Sequence, residues 1–421
     1  MRNMINAVLS RYSNNYEKWL FIFYPLVILY MLLTFCGINA LLLSLFVRIL
    51  FLWLFFKAVK HSKITNISYF LGIFIVYNLF SIILFLTTDI PFDAYTYDLT
   101  NFLLPMLAFF LGSNKKDDSS ALYDGLLVSM IVCCFIGLYM YFFLTEWYSL
   151  KLIEIHNSIS YYDSVGTEGD TTAYLQFTRF SSFMLTPYAI QYLGVPSLCI
   201  FIMHLINPKN AIIQVNSIKI ILLLVLVFCL ILCQQRATWF YLIILIPITL
   251  SVSTFKFNIR FVWSVLLVIT LVALFGKDIF SGDEFSTISE QISSRGDSFS
   301  VSDAMGGREN QYQNILNNWD RPLFGYGMGS AGANARIYGF TGTSDAGYMK
   351  LLYENGLVGF VIFSLIIIPT FFKAIKHLKF NYVEFNILFF FLLAMLGSNS
   401  LSMSFYYSIP FWFAVGRLWK Y

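Results

Sequence analysis

Long apolar stretches alternate with short polar connections along most of this chain. Residues 218–233 and 360–370 are almost free of charge. With their flanks, such runs approach the roughly 20 residues that cross a bilayer as a helix. The pattern predicts an all-α polytopic membrane protein with about twelve spans. The predicted spans are 19–36, 38–57, 67–87, 99–113, 122–144, 187–206, 217–234, 237–255, 259–276, 356–373, 384–400 and 404–418.

Two connections on one side of the predicted bundle are much longer than the others. They cover residues 145–186 and 276–355, whereas the remaining connections are short enough to be simple turns. The polar segment 276–355 has helical character at 307–318, and a second helix is predicted from near Asp345 to Glu354. The chain therefore divides into a transmembrane part, a large helical loop and a second transmembrane part. Their boundaries are 1–275, 276–355 and 356–421.

Composition and charge support the membrane assignment and orient the bundle. With 58% hydrophobic and 12% charged residues, a soluble chain of this length would lack sufficient polar surface. Lys and Arg accumulate in short cytoplasmic loops of membrane proteins. When the loops alternate from a cytoplasmic N-terminus, most of the 27 Lys and Arg residues lie inside and most of the 23 acids lie outside. Both termini are therefore predicted to be cytoplasmic, and both long loops face outward.

The cysteine, histidine and glycine patterns argue against metal and nucleotide chemistry. All six cysteines lie in apolar segments and the four histidines are dispersed, so neither type has the spacing of zinc ligands. The alternate glycines Gly325, Gly327 and Gly329 follow no predicted strand and lack the P-loop lysine. We therefore predict neither a metal nor a cofactor, and no binding of nucleic acid.

Two arginines lie at the outer ends of predicted spans. Arg179 precedes the span at 187–206, and Arg236 lies in the tight reversal after the span at 217–234. If these helices are neighbours, both guanidinium groups face one outer cavity. A charge at this depth is costly unless it is paired or reaches water, so it indicates function, although snorkelling to lipid phosphate is the alternative. Arg48, inside the second span, is a weaker candidate because it could reach the cytoplasmic headgroups.

The long outer loop contains three short motifs in a characteristic order. They are Gly307-Arg308, Pro322-Leu323-Phe324-Gly325-Tyr326-Gly327, and a run of the form Tyr-x-x-Leu-x-x-x-x-Gly-x-x-Gly from Tyr348 to Gly359. Together with Arg179 and Arg236, this order resembles the bacterial O-antigen polymerase and O-antigen ligase superfamily. The resemblance covers about residues 177–360. It implies a GT-C-like glycosyltransferase of the inner membrane whose long loop is periplasmic.

One departure from the superfamily pattern favours its polymerase branch. Ligases typically have a histidine just before the Tyr-x-x-Leu run, whereas this chain has Ser344-Asp345 there. A polymerase transfers a growing glycan from undecaprenyl diphosphate to a sugar hydroxyl of another lipid-linked repeat unit. The resemblance also implies a separate membrane protein that regulates chain length.

Two other functions remain open at this point. A ligase would move the completed glycan to lipid A core or to protein, and the missing histidine counts against it. A lipid-linked oligosaccharide flippase should carry charges near the middle of its helices and show related halves. The charge of this chain is instead concentrated in its two outer loops.

The implied reaction has a departing lipid diphosphate whose negative charge must be stabilised. Arginine suits this task because its planar fork donates paired hydrogen bonds to phosphate and keeps its charge. The candidates for substrate binding are Arg179 and Arg236, with Arg308 and Arg336 as additions to the same clamp. Some of the loop arginines lie among acidic residues, so exposed ion pairs are the alternative interpretation.

The attacking hydroxyl needs a group that accepts its proton. Asp345 is the leading candidate by position and Glu354 the second, although an acid at the junction of a loop and a span is as often a structural cap. Tyr348 is a candidate for stacking on a sugar ring, with packing against a neighbouring helix as the alternative. The resemblance and its lipid-diphosphate leaving group imply direct displacement with inversion at the anomeric carbon, and the absence of a visible close acid pair agrees with this expectation.

Overall fold

Every regular element in the described part of the chain is a helix. The computed structural model describes residues 12, 14–83, 92–115, 120–160, 180–184, 186–206, 216–233, 235–246, 313, 316–317, 320–331, 346–378 and 380–420. In chain order the helices are α1 (Asn15–Phe35), α2 (Leu41–Val59), α3 (Asn66–Phe80), α4 (Phe92–Asp98), α5 (Leu104–Met106), α6 (Ala108–Gly112), α7 (Ala121–Phe143), α8 (Thr145–Ser160), α9 (Pro187–Ile206), α10 (Asn216–Leu232), α11 (Arg236–Phe240), α12 (Gly347–Lys376), α13 (Tyr382–Ala394) and α14 (Phe405–Leu418).

The described helices confirm the all-α polytopic membrane class. Five of them, α1, α2, α7, α9 and α12, are long and apolar enough to cross a membrane, and three shorter ones, α3, α10 and α13, are also apolar. The predicted fourth span, 99–113, is a broken segment rather than one α-helix, because a π turn at Leu99–Leu103 precedes α5 and a turn at Leu107 separates α5 from α6. The predicted ninth span, 259–276, and most of the loop 276–355 lie outside the described residues.

Polar side chains define where the apolar helices begin. The side chain of Asn14 accepts a hydrogen bond from the Glu17 amide at 2.8 Å and starts α1. Thr65 and Ser68 form a reciprocal capping box at the start of α3. Such caps satisfy amide groups that have no partner inside the first turn of a helix.

Contacts between distant segments sort the helix termini into two ends of the bundle. At one end, Tyr12 donates to Asp124 at 2.9 Å, and Arg417 pairs with Glu384 at 2.7 Å. At the other end, the Tyr97 hydroxyl donates to the Met403 carbonyl at 3.0 Å. Residues 320–331 also lie there, and we call it the loop end. The sorting of these termini agrees with a chain that runs back and forth across the membrane.

Candidate functional site

Two of the sequence motifs are joined by backbone hydrogen bonds at the loop end. The segment Pro322–Gly327 runs beside α12 near the middle of the Tyr348–Gly359 run, and four amide groups donate across the contact. The N···O distances are 3.0 Å from Tyr326 to Tyr353, 2.9 Å from Gly327 to Glu354, 2.8 Å from Leu357 to Pro322 and 3.1 Å from Val358 to Leu323. The structure therefore combines two motifs that the sequence presents separately.

These bonds replace the ones that α12 loses at a break. Gly356 has φ 61° and ψ −169°, which is not helical, so α12 consists of two straight parts that meet there. In an uninterrupted helix the amides of Leu357 and Val358 would donate to the carbonyls of Tyr353 and Glu354. The loop instead supplies the partners of both groups. The carbonyls of Pro322 and Leu323 accept from the amides of Leu357 and Val358, and loop amides donate to the carbonyls of Tyr353 and Glu354. An unsatisfied backbone group inside a membrane protein costs several kcal/mol, so loop and helix break stabilise each other.

Glycine is required on both sides of this contact. Gly325 has φ 71° and Gly356 has φ 61°, a region in which other L-residues are strained. A β-carbon at Gly356 would lie 2.4 Å from the Leu323 carbonyl oxygen, and one at Gly325 would lie 2.5 Å from the Glu354 carbonyl oxygen. The alternate glycines thus permit close packing of two backbones.

A tyrosine from α3 completes the junction. The hydroxyl of Tyr77 donates to the carbonyl of Asn355 at 2.7 Å and lies 3.1 Å from that of Phe324. One hydroxyl therefore contacts both the helix break and the loop segment that packs on it.

Three buried ionisable side chains contact residues 325–331, which we call the glycine segment, or lie next to those that do. Lys350 Nζ lies 2.6 Å from Asp98 Oδ2 and 3.2 Å from Glu354 Oε1, and it donates to the Ala331 carbonyl at 3.0 Å. Glu354 Oε1 also accepts from the amides of Gly329 and Ala331, both at 3.1 Å. We call Asp98, Lys350 and Glu354 the charge cluster. It connects α4, the loop and α12.

Glu354, the second candidate for the general base, lies inside this cluster with 1% of its surface exposed. Its Oε1 is occupied by two amides and one ammonium group, which are the contacts of a residue that holds a loop in place. Its base role stays a prediction.

Next to the cluster, burial and the Asp98 carboxylate raise the pKa of Tyr97, while Lys350 lowers it. Burial dominates, so the Tyr97 hydroxyl remains a neutral donor.

Asp345 and three of the predicted arginines, Arg179, Arg308 and Arg336, lie outside the described residues, and so does the side chain of Arg236. Ala346, which follows Asp345, is 1% exposed, and the Gly347 amide donates to the Ser398 carbonyl at 3.2 Å. The chain is thus anchored directly after Asp345. The roles predicted for these five residues stay predictions.

The chain that directly follows Arg179 contacts the end of α10, the helix that precedes Arg236. The amide of Phe180, directly after Arg179, donates to the carbonyl of Leu232 at 3.0 Å. Leu232 ends α10, and α11 begins at Arg236. The helices α9 and α10 also pack against each other, whereas the shared outer cavity of the two arginines stays a prediction.

Tyr348 packs against α13 in this structure. Its hydroxyl donates to the Leu392 carbonyl at 2.9 Å, and its ring lines an apolar cavity of about 550 Å³ between α12 and α13. This is the packing alternative that sequence analysis left open. Its role in stacking on a sugar stays a prediction.

Two members of the charge cluster, Asp98 and Lys350, are not among the residues predicted from the sequence. Lys350 and Glu354 are four residues apart, a spacing that places them on one face of a helix and could have identified the pair. Asp98 has no such signal, because it is 252 residues away from Lys350. Within the described ranges, no group of three or more His, Cys, Asp or Glu side chains could hold a metal ion.

Residues 221–364 match the family model described as O-antigen ligase. The match confirms the resemblance to the O-antigen polymerase and ligase superfamily. The matched stretch includes Arg236, the whole loop and the break in α12, so the four backbone hydrogen bonds lie within the O-antigen ligase match. No curated protein matches the chain. A general enzymatic role of the O-antigen polymerase or ligase type follows from the family match.

Proposed function

We propose that this protein polymerises undecaprenyl-diphosphate-linked oligosaccharide repeat units into O-antigen or a related surface polysaccharide. The reaction takes place on the periplasmic face of the inner membrane. A hydroxyl of the incoming unit attacks the anomeric carbon of the growing chain, the bond to the lipid diphosphate breaks, and the configuration inverts. The hydroxyl proton passes to a base, and undecaprenyl diphosphate leaves.

The observation that supports this proposal best is the junction between Pro322–Gly327 and the broken α12. Catalysis by positioned groups requires a scaffold that holds them within a fraction of an ångström. Four backbone hydrogen bonds and the charge cluster supply such a scaffold at the loop end. In the sequence, Asp345 directly precedes Ala346, which is 1% exposed.

In this proposal Asp345 accepts the proton of the attacking hydroxyl, at the point in the chain where ligases have a histidine. Glu354 holds the loop and does not act as the base, because it is 1% exposed and its Oε1 is already occupied by donors. This assignment separates the two acids that sequence analysis offered for one role.

Arg179 and Arg236 stabilise the negative charge of the leaving diphosphate, which is the largest electrostatic demand of the reaction. The hydrogen bond between Phe180 and Leu232 supports their joint action, because it brings together the chain segments on which they lie. Arg308 and Arg336 contribute further contacts to the same group. A chain-length-regulating membrane protein is the proposed partner.

The test is complementation of a polymerase-null host that retains its repeat-unit pathway. We expect the native chain to restore polysaccharide ladders. At equal membrane abundance, Asp345→Asn should lower the rate of polymerisation about 10²-fold or more, as removal of a general base does, and the ladders should be lost. Glu290→Gln, a loop acid without a proposed role, is the matched control and should keep the ladders. Single repeat units on the cell surface despite expression of the native chain would refute the proposal.

O-antigen ligase is the second candidate, because the matching family model has that description. A ligase-null host distinguishes the two functions. Under the polymerase proposal the native chain leaves such a host without surface glycan. Transfer of glycan to lipid A core would favour the ligase. A flippase-null host traps repeat units on the cytoplasmic side of the membrane, and release of these units by this chain would favour the flippase.

A further inference from the structure

An arginine lies in the half of α2 that is nearer to the loop end. α1 begins beside the contact of Tyr12 with Asp124 at the opposite end, and α2 starts at Leu41 after a short connection, so α2 begins at the loop end. Arg48 follows Leu41 by seven residues, which is about 10 Å along a helix axis. Because the Cα–Cβ bonds of a helix tilt toward its N-terminus, the side chain of Arg48 extends toward the loop end. It points away from the end where sequence analysis placed the headgroups within its reach.

Arg48 lies at the border between the protein-facing and the lipid-facing side of α2. Ser44, one turn before it, and Phe51, one turn after it, are buried. Leu45 and Ile49, on the other side, are 53% and 54% exposed. Arg48 itself is partly buried. Its surroundings are therefore open to the lipid on one side and closed by protein on the other.

A tyrosine from α14 closes the protein side. Tyr406 is 4% exposed, and its hydroxyl interacts with Ser44 and Arg48. The hydroxyl of Tyr24 donates to the Tyr406 carbonyl at 3.2 Å, and the ring centroid of Tyr30 lies 5.9 Å from that of Tyr406. Tyr406 also belongs to the first turn of α14, where the helix dipole adds positive potential. Residues from α1, α2 and α14 thus form one polar group of side chains around Arg48.

The donors of this group have no negatively charged partner in the described part of the chain. No carboxylate there lies within ion-pair distance of Arg48, and its buried Nε has no hydrogen-bond partner. The buried Tyr406 hydroxyl likewise forms no hydrogen bond of ordinary length and angle with the described residues. An arginine inside a membrane bundle is costly unless it is paired, so it indicates a binding site. A guanidinium fork beside two hydroxyls fits the oxygens of a phosphate.

We infer that Arg48, Ser44 and Tyr406 bind a phosphate group of a membrane lipid. The phosphate supplies the negative charge that pairs with Arg48, and its oxygens accept hydrogen bonds from the two hydroxyls. The ligand is a lipid because the open side of Arg48 is the lipid-facing side of α2. Two lipids carry this chemistry, namely the lipid-diphosphate-linked repeat unit of the proposed reaction and a phospholipid of the same leaflet. The inference rests on contacts of the described residues and does not depend on glycan polymerisation.

The test measures lipid binding by the full-length protein in detergent with native mass spectrometry. The probes are undecaprenyl diphosphate, phosphatidylglycerol and undecaprenol, which has no phosphate. Arg48→Gln should weaken the binding of at least one phosphate lipid about 10- to 100-fold, the loss expected for a charge-assisted hydrogen bond, and should leave undecaprenol binding unchanged. Tyr406→Phe should weaken the binding of the same lipid about 2- to 10-fold. Lys57→Gln, which removes an exposed cation of the same helix, is the matched control and should bind as the native protein does.

The two phosphate lipids distinguish the sources of the ligand. A loss confined to undecaprenyl diphosphate identifies the lipid-linked substrate, and a loss confined to phosphatidylglycerol identifies a phospholipid. Unchanged binding of both lipids by Arg48→Gln would overturn the inference. A loss in Arg48→Gln with native binding by Tyr406→Phe and Ser44→Ala would also overturn it, because a guanidinium that only snorkels to headgroups needs neither hydroxyl.

Thermal unfolding separates lipid binding from a role in folding. Because Arg48 has no ion-pair partner in the described chain, Arg48→Gln should unfold without added lipid at the temperature of the native protein or above it. It should also lose the rise in melting temperature that a bound phosphate lipid causes. A lower melting temperature without lipid, together with an unchanged rise when lipid is added, would show that Arg48 stabilises the fold and would overturn the inference.

Discussion

At the scale of single residues, the side chain of Lys350 lies between two carboxylates from distant parts of the chain. Asp98 belongs to α4 and Glu354 to the helix of Lys350 itself, and all three are buried. A buried ion pair adds little net stability, but removal of one partner leaves an uncompensated charge and is strongly destabilising. The loop depends on this balance, because Ala331 binds both Lys350 and Glu354.

Lys350→Met keeps the length of the side chain and removes its charge. We expect it to lower the free energy of unfolding by roughly 3–5 kcal/mol, because Asp98 and Glu354 lose their shared ammonium group. Thermal unfolding in detergent measures the effect. Lys376→Met, on the exposed last turn of the same helix, is the control and should unfold as the native protein does.

A second substitution sharpens this test. Adding Asp98→Asn to Lys350→Met should recover part of the lost stability, because it removes the carboxyl group that lay 2.6 Å from the lost ammonium group. A Lys350→Met protein as stable as the native one would show that the charge cluster does not hold the loop.

At the scale of elements, the break in α12 and the Pro322–Gly327 segment are one structural unit. Neither can satisfy its backbone groups alone, since the helix lacks partners at Gly356 and the loop has no strand or helix of its own there. The predicted helix that ends at Glu354 and the predicted span that starts at 356 correspond to the two parts of α12. The polar half faces the loop, and the apolar half continues into the bundle.

Gly356→Ala should disrupt the contact between the break in α12 and the Pro322–Gly327 segment. The left-handed backbone alone costs roughly 1–3 kcal/mol for a residue with a side chain, and the added β-carbon would lie 2.4 Å from the Leu323 carbonyl oxygen. We expect a lower melting temperature and loss of polysaccharide ladders at equal membrane abundance. Gly72→Ala is the control, because a β-carbon there meets nothing within 4 Å, and alanine is favoured over glycine inside a helix. Equal melting temperatures for both variants would contradict the argument.

At the scale of the whole molecule, the two ends of the bundle differ in chemistry. The loop end contains the glycine segment, the charge cluster and the contact of Phe180 with Leu232, whereas the opposite end contains pairs such as Arg417 with Glu384. The predicted orientation, in which the long loops are periplasmic and both termini are cytoplasmic, stays a prediction.

The native cysteines provide a test of that orientation. Cys36, which follows α1 at the loop end, is exposed, while the other five cysteines are buried. We expect a membrane-impermeant maleimide to label native protein at Cys36 from the periplasm, and Cys36→Ser to abolish the labelling. Phe380, which is 79% exposed at the opposite end, is the reference position. In the Cys36→Ser background, Phe380→Cys should react only after the inner membrane is permeabilised, and the reverse pattern would invert the topology.

The sequence by itself determined the membrane class, the approximate helices and the resemblance to a family, because each depends on information that is local along the chain. Apolar runs specify helices through their length and composition. The ordered motifs around Arg236, Gly325 and Tyr348 identified the O-antigen polymerase and ligase superfamily. The helix break at Gly356 was also visible, as the boundary between a predicted loop helix and a predicted span.

Only the tertiary structure decided which polar groups meet. The contacts of Asp98 with Lys350, of Tyr77 with Asn355 and of Phe180 with Leu232 join residues far apart in sequence. Hydrophobic periodicity contains no record of such pairs, because it reports which face of a helix is apolar and not which helix lies against it. For the same reason, the sequence allowed two roles for Glu354, that of a proton acceptor and that of a structural cap. Burial against two amides and one ammonium group, which only the folded chain creates, favours the second.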